Sequence, residues 1–192
     1  VLAFAVAYAL TRGIKGSNLF RTVFFMPNLI GGIVLGYIWS MIFDGILSRY
    51  GTSILLDTKL GFWGLVILVA WQQIGYMMII YIAGLQAVPE DMLEAAKIDG
   101  ASAWTTLWKI TIPNVMPSIT ICTFLTLTNS FKLYDQNLAL TEGRPFQGVI
   151  HTTEMLALNI VNSNTVKTRG VGQAKAVLFF VLVAAIGVIQ LM

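Results

Sequence analysis

Two clusters of uncharged polar side chains interrupt stretches of sequence that are otherwise apolar. In the first cluster one tyrosine lies four and three residues after two glutamines, and in the second the spacing is i, i+3, i+4, which places these side chains close together on a helix surface. Amides, hydroxyls and phenols exchange hydrogen bonds without carrying charge, which suits the hydroxyl groups of a sugar. Bonds between neighbouring helices, worth about 0.6 kcal/mol each, explain any single member equally well. The first cluster is Gln72, Gln73 and Tyr76, and the second is Thr126, Asn129 and Ser130.

Residues with stronger chemistry are few and scattered. His151 and Glu154 are spaced for a pair, but a metal site needs a third or fourth ligand, so a solvated loop pair is expected there. The single cysteine, Cys122, lies in an apolar run and is expected to pack as a small hydrophobic residue. No G-x-x-x-x-G-K-[ST] phosphate-binding loop is present in the sequence. The sequence therefore predicts no metal, no cofactor and no catalytic site.

Composition indicates what surrounds these residues. Of the 192 residues, 57% are hydrophobic and only 11% are charged, against about 25% charged in a typical soluble domain. The mean hydropathy is +0.78. The net charge of +3 is spread thinly, and nucleic-acid binding would need clustered basic residues. The chain is therefore expected to be an all-α integral membrane protein that lies in a lipid bilayer and binds no nucleic acid.

Apolar runs predict the membrane spans, since a bilayer core requires about 20 such residues in a helix. No internal repeat is evident, so residues 1–192 are expected to form one membrane domain. The chain begins and ends inside apolar runs, which predicts that sequence is missing at both ends. Five spans are predicted, at about residues 1–12, 23–43, 61–86, 114–134 and 171–192.

The connection at residues 87–113 is the most polar of the helical stretches. Pro89 is predicted to open a short helix, and Gly100 to end it. A second short helix would carry Trp104 and Trp108 on one face and end at Pro113. The pattern predicts a helix-turn-helix that lies along one membrane face. By itself it fits either an amphipathic connector held by its tryptophans or a helix that docks into a groove of another protein.

The excess of Lys and Arg on cytoplasmic loops normally gives the orientation. Here the first and third connections together contain five basic residues and the second and fourth contain six. This difference leaves the orientation open.

The same connection carries a longer sequence pattern. Glu94-Ala95-Ala96, Gly100 and Ile110-Thr111-Ile112-Pro113 resemble the E-A-A-x-x-x-G-x(9)-I-x-L-P signature of binding-protein-dependent ABC importer permeases. Ile112 replaces the usual leucine. "RTVFFMPNLIGGIVLGYIWSMIF" and "SFKLYDQNLALTEGRP" are similar to the carbohydrate-uptake branch, in particular to the maltose- and oligosaccharide-type subunits.

This resemblance implies a fold and an orientation. The fold would be the polytopic helical bundle of methionine-importer-like (type I) ABC importers, in a bacterial cell membrane. Residues 87–113 would be the cytoplasmic coupling segment, seated in a cleft of an ATPase subunit. Glu94 would meet polar or basic groups there, and Ala95 and Ala96 would permit close seating. Asp99 and Gly100 would form the turn that follows.

The resemblance also implies a function and partners. The chain would be a permease subunit that imports a sugar or oligosaccharide by alternating access. Its partners would be a second homologous permease, two ATP-binding subunits that hydrolyse the ATP, and an extracellular solute-binding protein. Related sugar permeases line the substrate pathway with the corresponding stretches of these two spans, which favours that role for both polar clusters.

Other cargo and another class of transporter remain alternatives. Within the family the cargo could be a glycerophosphodiester or a polyol, although a phosphorylated solute would call for cations facing the pathway. An ion-driven secondary transporter would need an acidic residue in the middle of a span, and Asp135 lies only at the edge of one.

Overall fold

The computed structural model describes residues 1–143, 146–147, 150–151, 153–164 and 168–191, with side chains for 1–143, 153–164 and 168–190. Almost all of the described chain is helical, which confirms the all-α prediction. A single two-residue hairpin pairs β1 (Phe146–Gln147) with β2 (Ile150–His151). The helices are α1 (Leu2–Thr11), α2 (Ser17–Leu29), α3 (Gly32–Leu47), α4 (Thr58–Gln86), α5 (Glu90–Ile98), α6 (Ala103–Thr106), α7 (Ile112–Phe131), α8 (Asp135–Leu140), α9 (Leu156–Asn162) and α10 (Arg169–Leu191).

The chain divides into two compact units. The first contains residues 1–29 and 71–125, and the second contains residues 30–70 and 126–192. Helices α4 and α7 each contribute one part to each unit. Each unit is described by itself below.

The core of the first unit lies between α1, α4 and α7. Ala3, Ala7 and Leu10 follow one face of α1 at intervals of four and three residues, and all three are buried. They belong to one apolar cluster with Met78 of α4 and Val115 of α7. This spacing is the apolar stripe expected of a helix that buries one face.

Two glycines of α4 allow its neighbours in this unit to approach closely. A Cβ at Gly75 would lie 1.8 Å from the carbonyl oxygen of Phe24 in α2. A Cβ at Gly84 would lie 2.3 Å from Ser118 Oγ of α7. Small residues at such contacts are how membrane helices gain packing energy. Gly75 meets backbone atoms and is required by the backbone geometry, whereas Gly84 meets a side chain.

In the second unit, α3 packs against α8. Gly36 of α3 faces Ala139, where an added Cβ would lie 2.6 Å from the alanine Cβ. Leu35 and Leu140 beside this contact are almost completely buried. Gly32 and Gly36 have the small-xxx-small spacing that lets membrane helices approach closely, and both meet α8 here.

Asn137 anchors the chain that follows α8. Its side chain is fully buried and its amide donates to Thr141 Oγ1 and to the carbonyl of Thr153, both at 2.9 Å. Its oxygen accepts from the N–H of Met155 at 2.8 Å. A buried amide is stable only when its hydrogen bonds are made, so this residue fixes the entry into α9.

Three helices of the described chain are long and apolar enough to cross a bilayer: Thr58–Gln86, Ala103–Phe131 and Arg169–Gln190. They confirm three of the predicted spans. The span predicted at 23–43 is divided into α2 and α3, which pass the same test only as a pair. Gly31 lies in an extended conformation at this break, with φ −58° and ψ 141°, and two adjacent glycines favour a helix poorly. The first predicted span is the shorter apolar helix α1.

The prediction for residues 103–113 was wrong in one respect. The second short helix does not end at Pro113, because Leu107–Thr111 form a π-helical segment that continues into α7. A proline ring clashes with the carbonyl four residues earlier, here that of Lys109. The wider turns of a π-helix accommodate that ring inside one continuous apolar helix.

Two features of the predicted fourth connection fall partly outside the described residues. Gly143 does form a turn, with φ 76°, but Arg144 and Pro145 are not among the described residues. The same holds for the side chain of His151, and therefore for its predicted pair with Glu154.

Candidate functional site

The segment between α4 and α7 is built from locally stabilised pieces of helix. Pro89 precedes α5, and Glu90 and Asp91 lie in its first turn, where acidic side chains favour the positive end of the helix dipole. Lys97 lies in the last turn, where the dipole favours a cation. These residues explain why a nine-residue helix forms outside a membrane span.

The end of α5 is closed by a Schellman motif. The N–H of Gly100 donates to the carbonyl of Lys97 at 3.1 Å, and the N–H of Ala101 donates to that of Ala96 at 2.9 Å. Gly100 has φ 73°, a left-handed conformation that glycine adopts without strain. The predicted turn at Asp99 and Gly100 is therefore present, with Asp99 as the C-cap residue.

The two alanines of the E-A-A sequence differ in burial. Ala96 is 5% exposed and packs within the first unit, so its small side chain lets α5 lie close to its own unit rather than to a partner. Ala95 and Glu94 are exposed. Ala95 is therefore available to a partner and Ala96 is covered within the chain, and the seating of both alanines against a partner stays a prediction.

The outer face of α5 also carries an aliphatic residue. Ile98 is 85% exposed and follows Asp91, Glu94 and Ala95 at helical spacing, all of them exposed. We call these four residues the outer face of α5. Ile98 is not part of the E-A-A signature, and its i+4 spacing from Glu94 is the sequence signal that places it on this face. A face of one aliphatic, one small and two acidic side chains suits helix-in-groove docking.

The second arm of the segment begins at a capped turn. Ser102 Oγ accepts from the N–H of Thr105 at 3.2 Å, as an N-cap serine does. Trp104 and Trp108 are both exposed and contact each other edge to face, with centroids 5.6 Å apart. The π-helical segment then joins this arm directly to α7.

The first polar cluster lies on the part of α4 that belongs to the first unit. Gln72, Gln73 and Tyr76 are all half-buried. Tyr76 packs against the apolar core cluster of that unit. Gly75, which lies between these residues in sequence, is the position where α2 approaches most closely. The backbone at this point is therefore held firmly.

The second polar cluster lies on the part of α7 that belongs to the second unit. Thr126 and Ser130 are exposed and Asn129 is half-buried. Ser130 Oγ donates to the carbonyl of Leu127 at 2.7 Å. Its proton is therefore used within the helix, while its lone pairs can accept a bond from another hydroxyl.

Fold and site together define a class of protein. Several apolar helices cross a membrane, uncharged polar side chains lie along two of them, and a short amphipathic helix is presented outside them. This combination is that of a membrane transport permease.

Comparison with known proteins identifies the family. Residues 1–192 match the model of the family described as "Binding-protein-dependent transport system inner membrane component". The chain belongs to this family and is therefore an integral protein of the inner membrane. This membership decides against the ion-driven secondary transporter.

Two curated relatives illustrate the family. A probable starch degradation products transport system permease protein of Thermoanaerobacterium thermosulfurigenes is 44% identical over 99% of this chain and 67% of its own length. An sn-glycerol-3-phosphate transport system permease protein of Agrobacterium fabrum is 31% identical over 98% of this chain and 67% of its own length. Relatives of this kind are permease subunits of ABC transporters rather than enzymes.

A solved structure supports the fold. The crystal structure of a bacterial ABC transporter involved in the import of the acidic polysaccharide alginate matches with a TM-score of 0.82. The match covers 98% of this chain and 70% of that one, at 16% identity. The chain therefore has the fold of an ABC importer permease.

Proposed function

We propose that this chain is the permease subunit of an importer for an oligosaccharide, and that α5 is its contact with the ATPase. The short turn that joins α5 to the continuous helix of the α6 arm and α7 carries this proposal. Beyond the Gly100 turn, residues 103–131 form one apolar helix that bears the polar cluster of Thr126, Asn129 and Ser130. A displacement of α5 would therefore reach the polar cluster through a single helix.

The partners follow from that mechanism. Two ATP-binding subunits would close on ATP and draw together the α5 helices of this chain and of a second, homologous permease. The pathway would then open toward an extracellular solute-binding protein, and hydrolysis would reset it. In this arrangement α5 lies on the cytoplasmic side, and the ATPase subunits hydrolyse the ATP.

The outer face of α5 provides the test of ATPase coupling. Ile98→Asp would place a charge in the partner's groove and should weaken co-purification of the ATPase subunits about tenfold, since a buried aliphatic contact contributes roughly 1–2 kcal/mol. Leu56→Asp is the matched control, because Leu56 is also largely exposed, at 70%. It precedes α4 whereas α5 follows that helix, so the two would lie on opposite sides of the membrane. Equal co-purification by the two variants would exclude α5 as the docking helix.

The polar clusters support a neutral, hydroxyl-rich cargo. Together they contain three amides, two hydroxyls and one phenol, which bond to sugar hydroxyls without the desolvation cost of a charge. The similarity to the starch-product permease supports the same assignment. Tyr76 would in addition offer an aromatic face to a sugar ring.

Uptake into proteoliposomes that contain the complete transporter would test the cargo. Gln73→Leu and Asn129→Leu should each lower uptake of a labelled maltooligosaccharide by tenfold or more, because each removes polar groups that a sugar hydroxyl would otherwise pair with. Gln86→Leu, on the same helix as Gln73 but outside the cluster, should leave uptake unchanged. If all three variants transport like the wild type, the clusters do not line the pathway.

Glycerol 3-phosphate, or a related phosphodiester, is the second candidate cargo. It is favoured by the similarity to the Agrobacterium fabrum permease. Neither polar cluster contains a cation, and Lys132 follows the second cluster only at the exposed end of α7. Uptake of labelled glycerol 3-phosphate that an excess of oligosaccharide does not reduce would favour this candidate.

A further inference from the structure

A cavity of about 410 Å³ lies inside the first unit, beneath α5. It is bordered by the end of α1, the end of α4, α5 and the start of the α6 arm, and it opens to the surface, where Arg12 and Lys97 are exposed. Its polar lining consists of Tyr8, Thr11, Arg12, Lys97, Thr106 and Thr111, and the rest of its lining is aliphatic. Among the described residues that line it, two are basic and none is acidic.

The hydrogen bonds within this lining do not use all of its donors. The three threonine hydroxyls donate to backbone carbonyls, for example Thr11 to Tyr8 at 3.0 Å and Thr106 to Ser102 at 3.1 Å. The guanidinium of Arg12 lies 4.5 Å from the centre of the Tyr8 ring and donates one bond to the Tyr8 hydroxyl. Four further N–H groups of Arg12, the Tyr8 proton and the Lys97 ammonium remain to bind a ligand.

An apolar groove of about 290 Å³ lies along the same unit. Phe4, Tyr81 and Ile112 line it, so it is formed by α1, α4 and the start of α7. Helices α1 and α4 also border the cavity, and α7 begins directly after Thr111 of the cavity lining. Phe4 is stacked on Tyr8, with ring centroids 6.2 Å apart. One ring therefore lines the apolar groove and the next lines the charged cavity.

We propose that the cavity binds the phosphate of an anionic phospholipid, with an acyl chain in the neighbouring groove. Arg and Lys at a membrane surface attract anionic headgroups, and a guanidinium binds phosphate oxygens through two parallel bonds. The phosphate would join Arg12, at the end of α1, to Lys97, in the last turn of α5. Bound lipid would therefore restrain the helix that we assign to ATPase coupling. Its assignment to the inner leaflet rests on the proposed function.

Native mass spectrometry of the full-length permease, without ATPase subunits, tests lipid binding directly. The probes are phosphatidylglycerol, phosphatidylcholine with the same acyl chains, and inorganic phosphate. Each basic residue should contribute about fivefold to phosphatidylglycerol affinity. The affinity of Arg12→Gln/Lys97→Gln for phosphatidylglycerol should therefore fall roughly 25-fold. Arg12→Lys/Lys97→Arg should retain most of the binding, which would show that the protein still folds when both side chains are altered.

Lys15→Gln/Lys109→Gln is the matched control, because it removes two exposed lysines that do not line the cavity. Equal retention of phosphatidylglycerol by this variant and by Arg12→Gln/Lys97→Gln would overturn the proposal. So would equal retention of both lipids by the wild type, or binding of inorganic phosphate without retention of phosphatidylglycerol. The measurement involves no ATPase, so its failure is distinguishable from failure of α5 coupling.

Discussion

Replacement of Gly75 by alanine tests whether the contact between α2 and α4 holds the first unit together. The added Cβ would lie 1.8 Å from the carbonyl oxygen of Phe24 and 2.6 Å from its carbonyl carbon. Both atoms are backbone, so no side-chain rotation relieves the overlap. The two helices must separate by more than 1 Å, and the core around Met77 and Met78, both buried, must loosen with them.

The expected change in the free energy of unfolding is the difference between the cost of overpacking and the gain in helix propensity. Overpacking of a well-packed core costs about 1–3 kcal/mol, and a clash between backbones belongs at the upper end. Alanine in place of glycine within a helix recovers about 0.5–1 kcal/mol. The net loss should therefore be about 2 kcal/mol, which lowers Tm by roughly 4–8 °C in a chain of this size.

Two further glycines make this a graded series, measured as thermal denaturation of the detergent-solubilised permease followed by size exclusion. Gly84→Ala should cost less, because its overlap is with Ser118 Oγ at 2.3 Å, and that hydroxyl can rotate. Gly45→Ala, in α3 with nothing within 4 Å, should leave Tm unchanged or raise it slightly. If Gly75→Ala melts at the wild-type temperature or above the Gly45 variant, the close approach of α2 to α4 is wrong.

Three other substitutions test a buried hydrogen-bonded side chain and the two caps of the segment between α4 and α7. Asn137→Leu would leave the N–H of Met155 and the carbonyl of Thr153 without their partner, and since each unsatisfied buried group costs about 1–3 kcal/mol, Tm should fall by several degrees. Gly100→Ala places a side chain at φ 73°, which costs about 1–2 kcal/mol and should speed amide exchange at the end of α5. Ser102→Ala removes an N-cap, costs about 1 kcal/mol, and should increase exchange in the α6 arm alone.

Matched replacements separate these effects from general loss of stability. Gly100→Asn should destabilise the end of α5 less than Gly100→Ala does, because asparagine tolerates the left-handed conformation better. Ser102→Asp should preserve the cap. Unchanged exchange in both the Gly100→Ala and the Ser102→Ala variants would show that tertiary contacts, rather than these caps, hold the segment.

The long apolar helices could be predicted well from the sequence. The span predicted at residues 61–86 corresponds to α4 at Thr58–Gln86, because an uninterrupted apolar run of that length has few alternatives in a bilayer. The run at 23–43 is equally apolar but divides at Ile30 and Gly31. Hydropathy alone does not reveal such a break, because the break depends on backbone conformation rather than on composition.

The coupling segment could be predicted in part. The positions of Pro89 and Gly100 gave the correct limits of α5, because capping is a local property of the chain. The continuation of the α6 arm into α7 was missed, since proline normally terminates a helix and only the π-helical geometry reconciles Pro113 with its surroundings. The inward direction of Ala96 depends on which face α5 buries, and that is a tertiary property.

By itself, the sequence determined the medium, the helical class and the limits of α5, because hydropathy and backbone propensity are properties of neighbouring residues. Only the tertiary structure decided that Arg12 and Lys97 line one cavity and that Ile98 is left uncovered. It also decided that Gly75 meets the backbone of α2. Those facts depend on packing between segments far apart in the chain, and side-chain volumes and helix contacts, rather than local preference, determine that packing.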